Sequence, residues 1–264
     1  MPTLYIVATP IGNLEDISMR ALRILGAVDF ILCEDTRVTR KLLDHYDIHT
    51  QTISYHEHSD ERKISEILGL LNSGKDLALV TDAGTPGISD PGGKLIEAVI
   101  ESLGEEVKIE SVPGASAVTA ALSISGIPTD KFVFMGFPPH KKGRQTFLRK
   151  ILESEYPAVI YESKHRIIKF LEELKKISED LGKLEEIEDE EMGAFKKARK
   201  EKSKSARGGS ASGGKAISLT SIVVCRELSK MHETVYRGDL DVIMEKIKNN
   251  ENDQKGEFVV IIGK

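Results

Sequence analysis

The chain has 264 residues, 40% hydrophobic and 30% charged, which is enough apolar material for one large or two modest buried cores under an ordinary charged surface. Two α/β domains are expected. The net charge of −5 excludes a global electrostatic pull toward nucleic acid, so any RNA-binding surface has to be a local basic patch.

The longest apolar stretches, such as residues 217–225, are interrupted by Ser and Thr and fall short of the roughly 20 residues that cross a bilayer, so no membrane span is expected. Met1 leads straight into a strand-like run at residues 4–8, without a basic region or a small-residue cleavage site. That pattern fits a cytoplasmic protein. Cys33 and Cys225, the only cysteines, sit inside the apolar runs FILCED and SIVVCRE, where a thiol serves as a small buried hydrophobe. Neither a disulfide nor a metal site is expected from them.

From Thr3 onward, apolar runs alternate with Gly/Pro loops and amphipathic helices, which is how a largely parallel sheet reads. Strands are predicted over residues 4–8, 30–33, 77–81 and 107–112, nearly continuously apolar as if covered on both faces. Ser18 caps a predicted helix over 19–25, closed by Gly26, and Ser59 or Asp60 caps another that runs to about Ser73, before Gly74. Asp90 and Pro91 read as the cap and first turn of a helix ending near Leu103.

A domain boundary is expected near Pro113, giving domains 1–113 and 114–264. After a loop at 113–116 and a helix over 117–124, strands recur over 132–137, 158–161, 222–225 and 258–262. Residues 178–215 break the pattern. They hold an acidic run from Glu185 to Glu191 and a basic run from Lys196 to Lys204, and they end in ARGGSASGGK. This composition cannot bury enough surface to offset chain entropy, and it reads as a mostly flexible charged insertion with room for one charged helix, either solvated or a basic arm.

In a parallel sheet the loops leaving the carboxyl ends of the strands open on one edge, and ligands collect there. Four loops carry unusual residues at that edge. In TPIGNL (9–14), Pro10 and Gly12 force a tight turn that serves either a ligand or an ordinary strand-to-helix connection. In CEDTR (33–37), Asp35 and Arg37 exceed what a cap around Thr36 requires, though a cap remains open.

The third loop, TDAGTPGISDPGG (81–93), is the most telling. Small residues and prolines fix its backbone and let a ligand approach closely at Asp82, Ala83, Gly84, Thr85 and Pro86, while Asp82 and Asp90 supply acceptors. In VPGAS (112–116), Pro113, Gly114, Ala115 and Ser116 lead into a helix whose free N–H groups can meet a polar group. Further along, His140, Lys141, Lys142, Arg144, Arg149 and Lys150 form a basic cluster that is either an RNA contact or the solvated face of a helix. His56 and His58 face the same way in an extended segment and need no ion to do so.

Taken in order, LYIVATPIGNLEDIS, ILCEDTR, LVTDAGTPGISDPGG, VPGASAVTAAL, GFPPHKKGR, IYESKHRI, VVCRELSKMHETVYRG and KGEFVVII resemble the tetrapyrrole methylase superfamily. More narrowly, they resemble its branch that 2′-O-methylates a cytidine in the decoding region of small-subunit ribosomal RNA. DAGTPGISDPG is the most specific of these segments, and residues 178–215 stand outside the resemblance.

What the resemblance implies is a two-lobed α/β fold, each lobe a mostly parallel or mixed sheet flanked by helices, working as a homodimer with S-adenosylmethionine in a cleft between the lobes. Pro10, Asp82, Ala83, Gly84, Thr85, Pro86, Pro113, Gly114, Ala115 and Ser116 would line the cofactor site, joined by Tyr161 and Glu162, with Arg226 and Glu227 also contributing. Asp35, Arg37, Glu162 and Glu227 are the catalytic candidates, and Asp35, Glu162 or Glu227 would take the hydroxyl proton. No metal is required. The partner would be small-subunit ribosomal RNA or the assembled small subunit, held through the basic cluster. A tetrapyrrole C-methyltransferase of the same fold and a non-catalytic RNA-binding or ribosome-assembly protein remain as alternatives.

Overall fold

The structure, a computed structural model, describes residues 1–56, 59–183 and 221–263. The chain divides into two compact units, Met1–Ser123 with Glu227–Glu233, and Ile124–Arg226 with Thr234–Lys264. The first unit thus runs past Pro113 and also takes in a short segment from late in the chain. Among the described residues no helix is long and apolar enough to cross a membrane.

Unit 1 is built on five parallel strands in the order β3-β2-β4-β1-β5, namely β1 (Thr3–Val7), β2 (Phe30–Cys33), β3 (Gln51–Ser54), β4 (Leu77–Leu79) and β5 (Lys108–Val112). Alternation along each strand feeds two cores. Val7, Ile31, Cys33, Ala78 and Val80 face α1 (Met19–Leu25) and α2 (Thr36–His45), whereas Leu4, Ile6, Leu32, Leu77 and Leu79 face α3 (Glu61–Asn72) and α4 (Gly93–Leu103). β1 and β4 lie side by side, yet the chain leaves β1 toward β2 over one face and leaves β4 toward β5 over the other. Their loops therefore part above a switch in connection direction.

The caps follow the sequence for α1 and α3: Ser18 accepts from the Ala21 N–H and Asp60 from the Lys63 N–H. Asp90 does not cap α4. The chain turns through Ser89 (φ 60°) and Gly92 (φ 140°), so the helix starts at Gly93 behind Gly92 and leaves the Asp90 carboxyl half-buried.

Unit 2 carries a mixed sheet in the order β6-β7-β10-β8-β9, with β6 (Val133–Gly136), β7 (Ala158–Ser163), β8 (Ile222–Arg226), β9 (Thr234–Gly238) and β10 (Glu257–Ile262). Only β6 and β7 are parallel; the other pairings are antiparallel. One face packs on α6 (Arg144–Glu153), α7 (residues 167–183) and α8 (Leu240–Asn249) through Leu148, Ile151, Phe170, Leu174, Ile243 and Ile247. α5 (Ala117–Ser125) spans the division between the units. Residues 178–183, the opening of the charged insertion, are helical as part of α7; the rest of that insertion lies outside the described residues.

A buried ionic network crosses unit 2. The Glu162 side chain is fully shielded, with Oε1 2.9 Å from Arg166 Nε and Oε2 3.9 Å from Arg144 Nη1, while Arg144 Nε donates to Glu173 Oε2 at 2.6 Å. Each arginine also reaches a backbone carbonyl: Arg166 Nη1 donates to Pro138 O (3.3 Å) and Arg144 Nη1 to Pro139 O (3.2 Å). Glu162→Ala would take the carboxylate partner from Arg166 while Arg144 kept Glu173, and removing one partner of a buried pair typically costs about 3–5 kcal/mol. Denaturant unfolding is expected to show a loss of that order, with Glu162→Gln closer to wild type.

Candidate active site

All four loops singled out in the sequence meet at the carboxyl edge of the unit 1 sheet, and hydrogen bonds stitch them together. Thr9 and Gly84 exchange two backbone bonds: the Thr9 N–H donates to Gly84 O at 2.9 Å and the Gly84 N–H to Thr9 O at 3.1 Å. The Thr9 hydroxyl donates to Thr81 O at 3.0 Å. Thr85 Oγ1 donates to Ala115 O at 3.3 Å, which ties the third loop to the fourth. The Asp35 N–H donates to Asp82 Oδ1 at 3.2 Å and ties the second loop to the third. Gly114 lies against Ala8, so that an added Cβ would stand 3.1 Å from the Ala8 Cβ.

Gly84 sits at φ +87°, where an L side chain is strained. A Cβ there would meet Ile11 Cγ2 at an ordinary 3.4 Å, so backbone strain, rather than crowding, demands glycine. Asp82 and Ala83 are exposed, as are Pro113 and Gly114, while Pro10, Gly84 and Pro86 are buried. The edge therefore presents small side chains and accessible backbone over a rigid floor.

Beside it, Glu34, Asp35, Thr36, Arg37, Ser54, His56 and Asp82 line an open pocket of about 560 Å³. The two readings left open for Asp35 prove compatible, since it caps α2 by accepting from the Arg37 N–H at 2.8 Å and also holds the Arg37 guanidinium through Nε (3.0 Å) and Nη2 (2.6 Å). The Arg37 side chain beside it pulls the Asp35 carboxyl down to about 2. Asp90 moves the other way: burial, with the negative charges of Glu34 and Asp82 acting in the same sense, pushes its carboxyl up to about 6. Burial likewise raises Asp82.

The Glu227–Glu233 segment, between β8 and β9, packs on the first loop. Ser229 Oγ donates to Asp16 Oδ2 at 2.6 Å, and Lys230 runs past Gly12 to place Nζ 2.9 Å from Glu227 Oε1. Glu227 is thereby engaged by a lysine, and both it (φ 52°) and Ser229 (φ 66°) hold left-handed backbone.

The remaining sequence-derived residues lie in unit 2. Tyr161 stacks edge-to-face on Phe134 and Phe137. Glu162 has its carboxylate sealed beneath two arginines, which leaves it no position from which to take a proton from a ligand in solvent. Arg226 is 6% exposed and holds the chain before β10 by donating to Lys255 O (2.7 Å) and Asn252 O (2.6 Å). In the basic cluster, His140, Lys141, Lys142, Arg149 and Lys150 are exposed, but Arg144 is 6% exposed and committed to Glu173 and Pro139. A charged residue inside a basic run gives no sign of such burial. Ser54 also escaped notice, because β3 has no apolar run to announce it.

Cys33 and Cys225 are buried and form no disulfide. Among the described residues no three His, Cys, Asp or Glu side chains are placed to hold a metal ion, and His58 lies outside those residues.

The family model for Tetrapyrrole (Corrin/Porphyrin) Methylases matches residues 3–211. A Hydrogenobaculum sp. protein named Ribosomal RNA small subunit methyltransferase I is 37% identical over 263 residues, spanning 99% of this chain and 95% of its own. A Synechocystis sp. protein of the same name is 39% identical over 263 residues, spanning 99% and 79%. Among solved structures, a diphthine synthase shares the fold with a TM-score of 0.64 at 12% identity, over 99% of this chain and 90% of that one.

Gly84→Val is expected to weaken S-adenosylmethionine binding by about five- to thirty-fold, through strain of about 1–2 kcal/mol in the third loop. Calorimetry on a folded variant with wild-type affinity would count against the site. Asp90→Asn isolates the raised carboxyl. An unfolded aspartate titrates near 3.8 and the folded one near 6, so the folded state is favoured by protonation, and stability falls as pH rises between those values. The amide variant should melt above wild type at neutral pH and match it below about pH 4.

Proposed function

We infer the activity from one premise: this chain belongs to the tetrapyrrole (corrin/porphyrin) methylase family. It is a methyltransferase whose donor is S-adenosylmethionine and whose acceptor is ribosomal RNA. The finer reading is transfer to the ribose 2′-hydroxyl of a cytidine in the decoding region of the small-subunit RNA. The observation that carries the donor assignment is the meeting of the four loops at one sheet edge, fixed by the Thr9–Gly84 exchange. The acceptor assignment is supported by near-full-length similarity to proteins named Ribosomal RNA small subunit methyltransferase I.

The donor carries an already activated methyl group, so the protein's work is alignment and help with one proton. In unit 1, the exposed Asp82, Ala83, Pro113 and Gly114 and the half-buried Ala115 would hold the cofactor, and the buried Pro10, Gly84 and Pro86 would keep that backbone from yielding. Proton removal from a ribose hydroxyl calls for a carboxylate of appreciable basicity near neutral pH. Asp35, held near 2 by Arg37, is a weak acceptor, whereas Asp90, near 6 and on the same edge, is matched to the task. Arg37 then serves as a cation with an 87% exposed side chain, available to an RNA phosphate.

The exposed cations Lys141, Lys142, Arg149 and Lys150, with His140 beside them in the chain, supply the local positive patch that a chain of net charge −5 needs in order to hold RNA. Arg144 is left out of that set. The direct test is methyl transfer from labelled S-adenosylmethionine into small ribosomal subunits that lack the modification, followed by mapping of the labelled nucleotide. Label on a cytidine 2′-oxygen in the decoding region is expected; label confined to a base, or to a tetrapyrrole offered in parallel, would overturn the reading. Replacing Lys141 and Lys142 with Ala should weaken RNA binding and flatten its salt dependence by roughly two phosphate contacts, with cofactor affinity unchanged.

A further inference from the structure

Unit 2 displays an aromatic side chain that neither its core nor the chemistry above employs. Phe137 is 50% exposed, with its ring edge-to-face on Tyr161 at a centroid distance of 5.4 Å; Phe134 meets the same tyrosine at 4.9 Å. Residues three apart on a regular strand point to opposite faces. A β-bulge between Phe134 and Gly136, with Gly136 at φ 66°, inserts the extra residue that brings Phe137 back to the face of Phe134 and Tyr161.

The backbone beyond Phe137 is pinned as well. Pro138 O and Pro139 O accept from Arg166 and Arg144, both anchored to buried or half-buried carboxylates. His140, Lys141 and Lys142 follow directly and are exposed. A fixed, open aromatic face beside a run of cations has the two components that single-stranded nucleic acid requires, a π surface for a base and positive charge for the phosphates on either side.

We propose that Phe137 is a stacking platform for an unpaired base of the RNA substrate, with Lys141 and Lys142 holding the adjoining phosphates. The proposal rests on the ribosomal RNA reading above and names the ligand class met by this part of unit 2. Charge complementarity selects the occupant. A second copy of this chain would bring the same lysines against their equivalents, and the sulfonium of S-adenosylmethionine would be repelled by them. A polyanion with splayed bases satisfies both the ring and the ammonium groups.

The test compares Phe137→Ala, Phe137→Leu and Phe137→Trp for affinity to a fluorescein-labelled, unstructured RNA oligonucleotide and, separately, to S-adenosylmethionine by calorimetry. Base stacking on an aromatic ring corresponds to a loss of about five-fold or more in affinity when the ring is removed. Alanine and leucine should both show that loss, leucine because it keeps apolar bulk without a π face, while tryptophan should stay at or above wild type. The slope of log affinity against log salt should be unchanged in all three, in contrast to the lysine variants. Wild-type RNA affinity in the alanine or leucine variant, or a loss confined to S-adenosylmethionine, would overturn the platform while leaving the methyl-transfer reading intact. A wild-type chain that binds S-adenosylmethionine but no RNA would overturn both.

Discussion

Two hydrogen bonds between Thr9 and Gly84 decide where everything else at the unit 1 edge sits. β1 and β4 are neighbours whose connections leave over opposite faces of the sheet, so nothing in the regular ladder keeps their loops together once the strands end. The two-way exchange carries the pairing past the end of the ladder. It needs a residue at φ +87° opposite Thr9, which glycine supplies without the roughly 1–2 kcal/mol that other residues incur there. The second and fourth loops then hang from the third through Asp82 and Thr85, so the architecture of the edge is a hub with three spokes.

That hub also sorts the acids by proton affinity. Asp35 points at the guanidinium of Arg37 and stays ionised down to about pH 2, while Asp90 is half-buried near the charges of Glu34 and Asp82 and holds its proton into the weakly acidic range. The residues are alike in type, but one faces a cation in water and the other faces burial and like charge. A cationic ligand bound at this edge would ease the repulsion around Asp90 and lower its proton affinity. On the proposed reading, donor binding and proton release at Asp90 are therefore linked, each favouring the other.

What could be read from the sequence was what is local. Gly/Pro punctuation located the four loops, and unbroken apolar runs located β1, β2, β4 and β10, because a strand covered on both faces leaves a continuous signal. β3 (QTIS) and β9 (TVYRG) went unseen because both lie at sheet edges, half in solvent, where few apolar residues are needed. The site was legible to the same degree. Pro10, Gly84 and Ala115 declared themselves by turn chemistry, whereas the roles of Glu162, Arg144 and Arg226 depended on burial, which no spacing reveals in a charged residue.

The burial of Glu162 and Arg144 has a physical rationale that stability alone does not provide. Apolar residues of similar volume generally serve a core as well as a buried ion pair does, so the network must do something they cannot. A guanidinium offers five donors in a fixed fork, enough to bind a carboxylate with some and a backbone carbonyl with others. Arg166 and Arg144 use that fork to hold Pro138 O and Pro139 O, two successive carbonyls of a stretch whose prolines have no N–H to tether it from the other side. Hydrocarbon in place of the arginines would leave those carbonyls unheld, and the chain from Phe137 to Lys142 would lose its fixed height above the core. The buried charge thus sets the geometry of an exposed surface, while Glu162 keeps the arginines in place.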